Sequence, residues 1–382
     1  MTRFPFDSAS APPTPFYYYD MELLRRTLEV AKQAPRDSRF HLHYAVKANA
    51  NPEILRTIKE AGFGADTVSG WEIDAAVEAG FEGRDILFAG VGKSDTEIRL
   101  ALEKGIDCFN VESEPELENI GAIAASMGKV ANVALRVNPN IDAHTHAYIT
   151  TGLSENKFGI NIEQLDSAVR VACSLPAVRL SGLHFHIGSQ IADMEPYVLL
   201  CRKINSISEN LEARGILFET INVGGGLGVD YASPDKNSIP DFDSYFAIFR
   251  NHLRLRSDQQ LHFELGRSIV AQCGSLLTRV LYVKAGITKR FAIVDAGMNN
   301  LLRPALYNAH HKIENISNPC GKLKRYDVVG PICESSDVFG TDELLPELKR
   351  GDLLALRSAG AYGEVMASRY NCRPLAASFF SE

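Results

Sequence analysis

From residue 36 to about 267, short apolar runs alternate with amphipathic stretches of helical period, which predicts repeated strand–helix units around a parallel sheet. Eight runs have strand length: HLHYAV (41–46), ADTV (65–68), ILFA (86–89), DCFNV (107–111), VALRV (133–137), GLHFH (182–186), TINV (220–223) and HFEL (262–265). Eight is the number of strands that closes a parallel sheet on itself. The expected fold class is therefore α/β, a (β/α)8 barrel of the TIM type. Segments between the runs, such as PEILRTIKEAG, SGWEIDAAVEAG, SDTEIRLALEKG and SEPELENIGAIAASMG, start on a capping residue or proline and close on glycine, as crossover helices do. The stretch from Ile141 to Phe158 has no periodicity and reads as a mobile loop after the fifth strand, able to cover a site.

Beyond residue 268 the texture changes. SLLTRVLYVKA, KRFAIVDAG, RYDVVGP and GDLLALRSA are β-rich runs split by turn residues, with no helix at every interval. The early run PFYYYD is also strand-like. The expected organisation is a barrel over 36–267 and a discontinuous β domain formed by 1–35 and 268–382.

Composition narrows the function. With 45% hydrophobic residues the 382-residue chain can bury a large core, and a net charge of -7 without a basic stripe argues against a nucleic-acid surface. The N-terminal MTRFPFDSASAPPTP is unlike a secretory peptide, and no run reaches the roughly 18 apolar residues of a membrane span, so a cytoplasmic protein is expected. Seven scattered cysteines, none in a C-x-x-C pair, read as reduced thiols and not as a zinc or disulfide framework.

Barrel chemistry sits where strands run into helices, so the residues that end each strand are the candidates. Strand one ends in YAVKAN with Lys47, where desolvation favours a neutral, nucleophilic amine. Alone, it reads rather as a lysine snorkelling from the rim. Strand six ends in HFHIGSQ with His186 and Ser189, and strand seven in NVGGGLG, where Gly224, Gly225 and Gly226 allow successive N–H groups to converge on a phosphate. A plain tight turn is the competing reading. Strand eight ends in FELGR: Glu264 suits a protonated heteroaromatic nitrogen and Arg267 a phosphate or carboxylate, although the two would also serve as a structural ion pair.

An amine for an aldehyde, a phosphate cradle and a carboxylate for a ring nitrogen together describe a pyridoxal phosphate site. H-x-H pairs at His41 and His43, His144 and His146, and His184 and His186 keep a metal-dependent hydrolase open. Against it, His41 and His43 lie at the beginning of their strand, where they read as barrel filling, and no aspartate closes strand eight. In the β domain, GPICESSD and GAYGEVMASRY set Cys333, Glu334 and Tyr362 in glycine-bounded turns, and RPALY places Arg303 and Tyr307 four apart, a carboxylate clamp if helical. Read singly, Cys333 is as well a small buried hydrophobe, and the Arg303 pair a surface decoration.

The ordered set YAVKANANPEIL, HFHIGSQI, NVGGGLG, ELGR, DAGMNNLLRPALY, GPICESSD and GAYGEVMASRYN resembles the diaminopimelate decarboxylases, of the alanine-racemase-like fold, over nearly the whole chain. The resemblance implies decarboxylation of meso-2,6-diaminopimelate to L-lysine with pyridoxal 5'-phosphate, by a homodimer with shared active sites. It implies that Lys47 binds the cofactor covalently and that His186 stacks on its ring. Ser189, Gly226 and the segment Glu264, Gly266, Arg267 would hold phosphate and pyridine nitrogen, and Tyr362 would touch the cofactor. Arg267, Arg303 and Tyr307 would take the distal carboxylate of the substrate, Glu334 its distal ammonium, and Cys333 would return a proton to Cα, with Cys333 and Glu334 serving the partner's site. The family's Glu-Pro-Gly-Arg reads ELGR here, with Leu265 for proline, which removes a rigid φ but keeps both charged groups. An ornithine-type decarboxylase, a racemase and a non-catalytic cofactor carrier are the alternatives, and Trp71 is expected only to pack.

Overall fold

The computed structural model describes residues 4–6, 10–141 and 157–382. The chain divides into two compact units, one of Thr27–Gly228 and Asp241–Ile269, the other of Met1–Arg26, Val229–Pro240 and Val270–Glu382. The expected loop over 141–158 falls, apart from its end residues, outside the described residues, as do His144 and His146.

In the first unit a closed parallel barrel is formed among the described residues. Strand β1 (Phe16–Tyr19) belongs to the other unit; the barrel strands are β2 (Phe40–Ala45), β3 (Gly64–Thr67), β4 (Ile86–Phe88), β5 (Cys108–Val111), β6 (Ala131–Asn138), β8 (Val178–His184), β9 (Thr220–Asn222) and β10 (Gln260–Leu265). Each pairs with the next and β10 returns to β2, so the ring has no edge. The two-residue β7 (Ile160–Asn161) adds to the end of β6. All eight expected strands are present, shifted by at most a few residues. The sixth stops at His184, leaving His186 in the loop beyond it.

Local chemistry explains the crossover helices. Helix α2 (Pro52–Glu60) starts on an Asn51 cap with Pro52 in its first turn, and α4 (Asp95–Lys104) on a Ser94–Glu97 capping box, ending at Gly105 with φ 65°. Helix α8 (Phe242–His252) buries Phe242, Tyr245, Phe246 and Phe249 at helical spacing. Three of these rings crowd Phe263, which points outward from β10. Trp71 does not pack as expected: it stands 79% exposed in the first turn of α3 (Gly70–Glu78).

The opposite faces of the same strands are polar. His43, Asp66, Asn110, Arg136, His184, Asn222, His262 and Glu264 are all buried. Branched apolar residues commonly fill such interiors. Here His43 stacks on His262 with ring centroids 4.9 Å apart, and His41, at the start of the row, is exposed and bonded to Gln260. His41 is thus at the rim and not interior filling, unlike His43.

The second unit is a mixed sheet. Strands β11 (Gly274–Ala285), β12 (Arg290–Val294), β13 (Ile313–Asn315), β14 (Leu323–Val329), β15 (Val338–Pro346) and β16 (Leu353–Leu356) run in the order β13-β16-β11-β12-β14-β15. Strand β1 pairs antiparallel with β11 and parallel with β17 (Ala377–Phe380), so both chain ends enter this sheet. No helix of the described residues is long and apolar enough to cross a membrane.

Candidate active site

Glu264 is the best-held side chain of the barrel interior. Its Oε1 accepts from Asn110 Nδ2 at 3.0 Å and Asn222 Nδ2 at 2.8 Å, and its Oε2 lies 3.2 Å from His184 Nε2. These partners come from β5, β9 and β8, three strands that alternation carries to one level of the barrel. Burial pushes the Glu264 pKa up, but His184 opposes it by charge and hydrogen bond, and Lys47 adds to that, so the carboxyl ends below its ordinary range and is an anion. Lys93 anchors the clamp from behind: its Nζ donates to the Asn110 carbonyl at 2.8 Å and to Glu116 at 2.6 Å.

Lys47 sits in the single turn Val46–Ala48 that follows β2, the strand beside β10, with Glu264 level with His43 in the register. Lysine and glutamate thus end neighbouring strands. Lys47 Nζ is 3.6 Å from Asp66 Oδ2, and Asp66 is fully buried. Burial first, then the like charge of Glu264, raise the Asp66 pKa well above its ordinary value, against the pull of Lys47. Arg136 and Glu112 form a second buried pair at 2.5 Å, with the Gly159 N–H donating to Glu112 at 2.7 Å.

The three glycines serve differently from the convergent cradle expected. Two of their N–H groups are engaged: Gly224 donates to Asn222 Oδ1 at 2.9 Å and Gly225 to His186 Nδ1 at 3.3 Å. Only the Gly226 N–H, among the described residues, has no such bond. Side chains are excluded because a Cβ on Gly225 would lie 1.9 Å from the Glu264 carbonyl oxygen, and one on Gly226, at φ 104°, 2.6 Å from that of Gly188. The Gly226 turn therefore abuts the loop carrying Ser189, whose Oγ accepts from Arg267 Nη2 at 3.1 Å. An N–H, a hydroxyl and a guanidinium gather there, a donor set suited to phosphate. Gly266 lets the chain pass close to β2, since a Cβ would stand 3.0 Å from that of Ala48. Burial first, then Arg136 and Lys47, hold the His186 pKa well below its usual value, so its ring is neutral.

The barrel unit thus brings together Lys47, His186, Ser189, Gly226, Glu264, Gly266 and Arg267. Their partners Asp66, Asn110, His184 and Asn222 are not among the expected site residues, although all four are polar positions inside strand-like runs. The remaining candidates are in the β unit. Arg303 and Tyr307 lie on one turn of helix, Arg303–Tyr307, and Arg303 is buried. Cys333 and Glu334 are exposed; the Cys333 N–H donates to Asn371 Oδ1 at 3.2 Å, and the Tyr370 hydroxyl to Glu334. Tyr362 has φ 56° between Gly360 and Gly363, a left-handed conformation held by a tight turn. Among the described residues no three His, Cys, Asp or Glu side chains form a group that would hold a metal.

Comparison with known proteins agrees with this chemistry. The family described as "Pyridoxal-dependent decarboxylase, pyridoxal binding domain" matches residues 21–271. A diaminopimelate decarboxylase of Bacteroides thetaiotaomicron is 59% identical over 380 residues, 99% of this chain and 98% of that protein. One of Helicobacter pylori is 46% identical over 363 residues, 94% of this chain and 88% of that protein. The crystal structure of diaminopimelate decarboxylase from Helicobacter pylori complexed with L-lysine superposes with a TM-score of 0.93 at 43% identity, covering 98% of this chain and 93% of that one. With an anionic glutamate and a lysine ending adjacent barrel strands, and similarity over nearly its full length, the chain belongs to the diaminopimelate decarboxylase family of pyridoxal-dependent decarboxylases.

Proposed function

We propose that the chain is a lyase that removes CO2 from meso-2,6-diaminopimelate to give L-lysine, the last step of lysine biosynthesis, as a cytoplasmic homodimer. The observation that carries the reading is the anionic Glu264, clamped by Asn110, Asn222 and His184 on the strand beside Lys47. Bound pyridoxal phosphate supplies an aldehyde for the amino group and a protonated pyridine that accepts the electron pair left by CO2.

The chain's own groups fit that cofactor. Lys47 offers the amine that holds the aldehyde, and Glu264, fixed as an anion, keeps a proton on the ring nitrogen. Ser189, Arg267 and the Gly226 N–H take the phosphate, and neutral His186 offers an uncharged face to the ring. Tyr362 adds a phenol to the cofactor's surroundings. In the β unit, Arg303 and Tyr307, together with Arg267, hold the distal carboxylate of the substrate, and Glu334 its distal ammonium. Cys333 delivers the proton to Cα. Cys333 and Glu334 are exposed in the single chain, in keeping with service to a partner's site.

The test is CO2 release from diaminopimelate isomers, ornithine and arginine with cofactor added. Strong preference for the meso isomer and an absorbing, borohydride-fixed adduct at Lys47 are expected. Equal turnover of ornithine, or a colourless protein in the presence of cofactor, overturns the reading.

A further inference from the structure

Arg303 is 5% exposed, and a buried guanidinium needs partners fixed in place. Its Nη1 lies 2.9 Å from His311 Nε2, and its Cζ 4.9 Å from the centre of the Tyr231 ring. His311 is itself wholly buried, and its Nδ1 lies 2.9 Å from the backbone carbonyl oxygen of Arg357. Tyr231 closes the arrangement, edge to face with His311 at 5.2 Å and 79°.

The two contacts of the imidazole fix its state. A carbonyl only accepts, so Nδ1 must carry the hydrogen; a guanidinium only donates, so Nε2 must be bare. His311 is therefore neutral, in its Nδ1–H form. A proton on Nε2 would set two donors against each other. The register makes this rigid: His311 precedes β13 and Arg357 follows β16, strands paired with Ile313 opposite Leu356, and the Arg357 N–H donates to the Lys312 carbonyl at 2.9 Å.

We infer that His311, with Tyr231 packed beside it, is the positioning residue that aims Arg303 at the distal carboxylate and so sets the choice of a dicarboxylic substrate. This rests on the proposed function and deepens it. The mechanism is orientation: one guanidinium edge is spent on His311 and the flat face on Tyr231, which restricts how the other edge is presented. Losing that acceptor removes a fixed partner of a buried guanidinium and loosens its aim.

The experiment compares the wild-type holoenzyme with His311→Leu and His311→Gln, measuring kcat and KM for meso-diaminopimelate and for D-lysine, which keeps the D centre that loses CO2 but lacks the distal carboxylate. His311→Leu should raise KM for diaminopimelate about tenfold to hundredfold, with kcat changed far less and weak turnover of D-lysine unaltered. His311→Gln, whose amide oxygen can stand near Nε2, should recover most of the loss. A rise in KM shared equally by both substrates, or none, overturns the inference. Should His311→Leu fail to fold, the nitrogen spectrum of the wild-type imidazole decides: a bare Nε2 is expected, and an Nε2–H overturns the assignment. A wild-type enzyme with the expected tautomer but no preference for diaminopimelate overturns the proposed function, and with it the specificity role, whereas a wrong tautomer with that preference intact sinks only the role of His311.

Discussion

Asp66 lies 3.6 Å from Lys47 in the barrel mouth, fully buried, one of two buried carboxyls that the lysine charge reaches, beside the half-buried Glu72. Glu264 is the other, and the two acids are driven in opposite directions. Asn110, Asn222 and His184 direct hydrogen-bonding groups at Glu264. Neither oxygen of Asp66 has a hydrogen bond. Two like charges in one dry pocket are unfavourable together, so the acid with donors keeps its charge and the acid without them takes the proton.

The first prediction concerns Asp66→Asn in the apo protein. The folded-state pKa of Asp66 is raised, so above the ordinary carboxylate range the folded chain holds a proton that the unfolded chain releases. Its contribution to stability is present at low pH and lost as pH rises through the folded value. Asparagine does not titrate. Urea unfolding should therefore show the variant gaining on the wild type as pH rises from 4, by up to about 1.4 kcal/mol per pH unit. A difference independent of pH would count against a protonated Asp66.

A second prediction follows from Asn222, which donates to Glu264 and also accepts from the Gly224 N–H, joining the carboxylate to the glycine turn. Asn222→Leu removes both bonds and leaves Glu264 a poorer anion. Cofactor affinity, followed by absorbance, and kcat/KM should each fall about tenfold to hundredfold, since a hydrogen bond to a buried charge is worth about 1.5–3 kcal/mol. Asn110→Leu loses one bond and should cost less. Unchanged cofactor binding in both variants would show that the clamp is idle.

How these residues read in the sequence follows from their surroundings. The eight strands were legible because each is a compact apolar run between capped, glycine-ended helices, and Lys47, His186 and Glu264 because barrel chemistry gathers where such runs end. Asn110, Asn222 and Asp66 were not, because a polar residue within a strand says nothing of which strand it faces across the barrel. The segment 229–240 belongs with the β unit although it interrupts the barrel sequence, and no periodicity marks it. The three glycines stand out by position but their use does not: close backbone packing, and not three free donors, demands them.

The third prediction is acid sensitivity from buried histidines. Burial holds the pKa of His43 at about 4 and that of His262 well below its ordinary value. As pH falls below about 6.5 the unfolded chain protonates both, while the folded chain does not until lower pH. Each therefore removes stability on acidification, at up to about 1.4 kcal/mol per pH unit. Replacing His262 by glutamine should flatten unfolding free energy against pH between 6 and 5 by about that amount. An unaltered slope would mean that His262 is charged in the folded protein.

The final prediction separates a shared active site from a self-sufficient chain. If Cys333 serves the partner's site while Lys47 serves its own, Lys47→Ala and Cys333→Ala homodimers each have two damaged sites. A heterodimer gathers both lesions in one site and leaves the other whole. Random exchange of subunits makes half the dimers mixed, so about a quarter of the sites in an equimolar mixture should be intact. CO2 release should rise from near zero to about a quarter of the wild-type rate on mixing, at the speed of subunit exchange. In a chain that completes its own site, every site in the mixture carries a lesion and no activity returns, so an inactive mixture of exchanging subunits would place Cys333 with the lysine of its own chain.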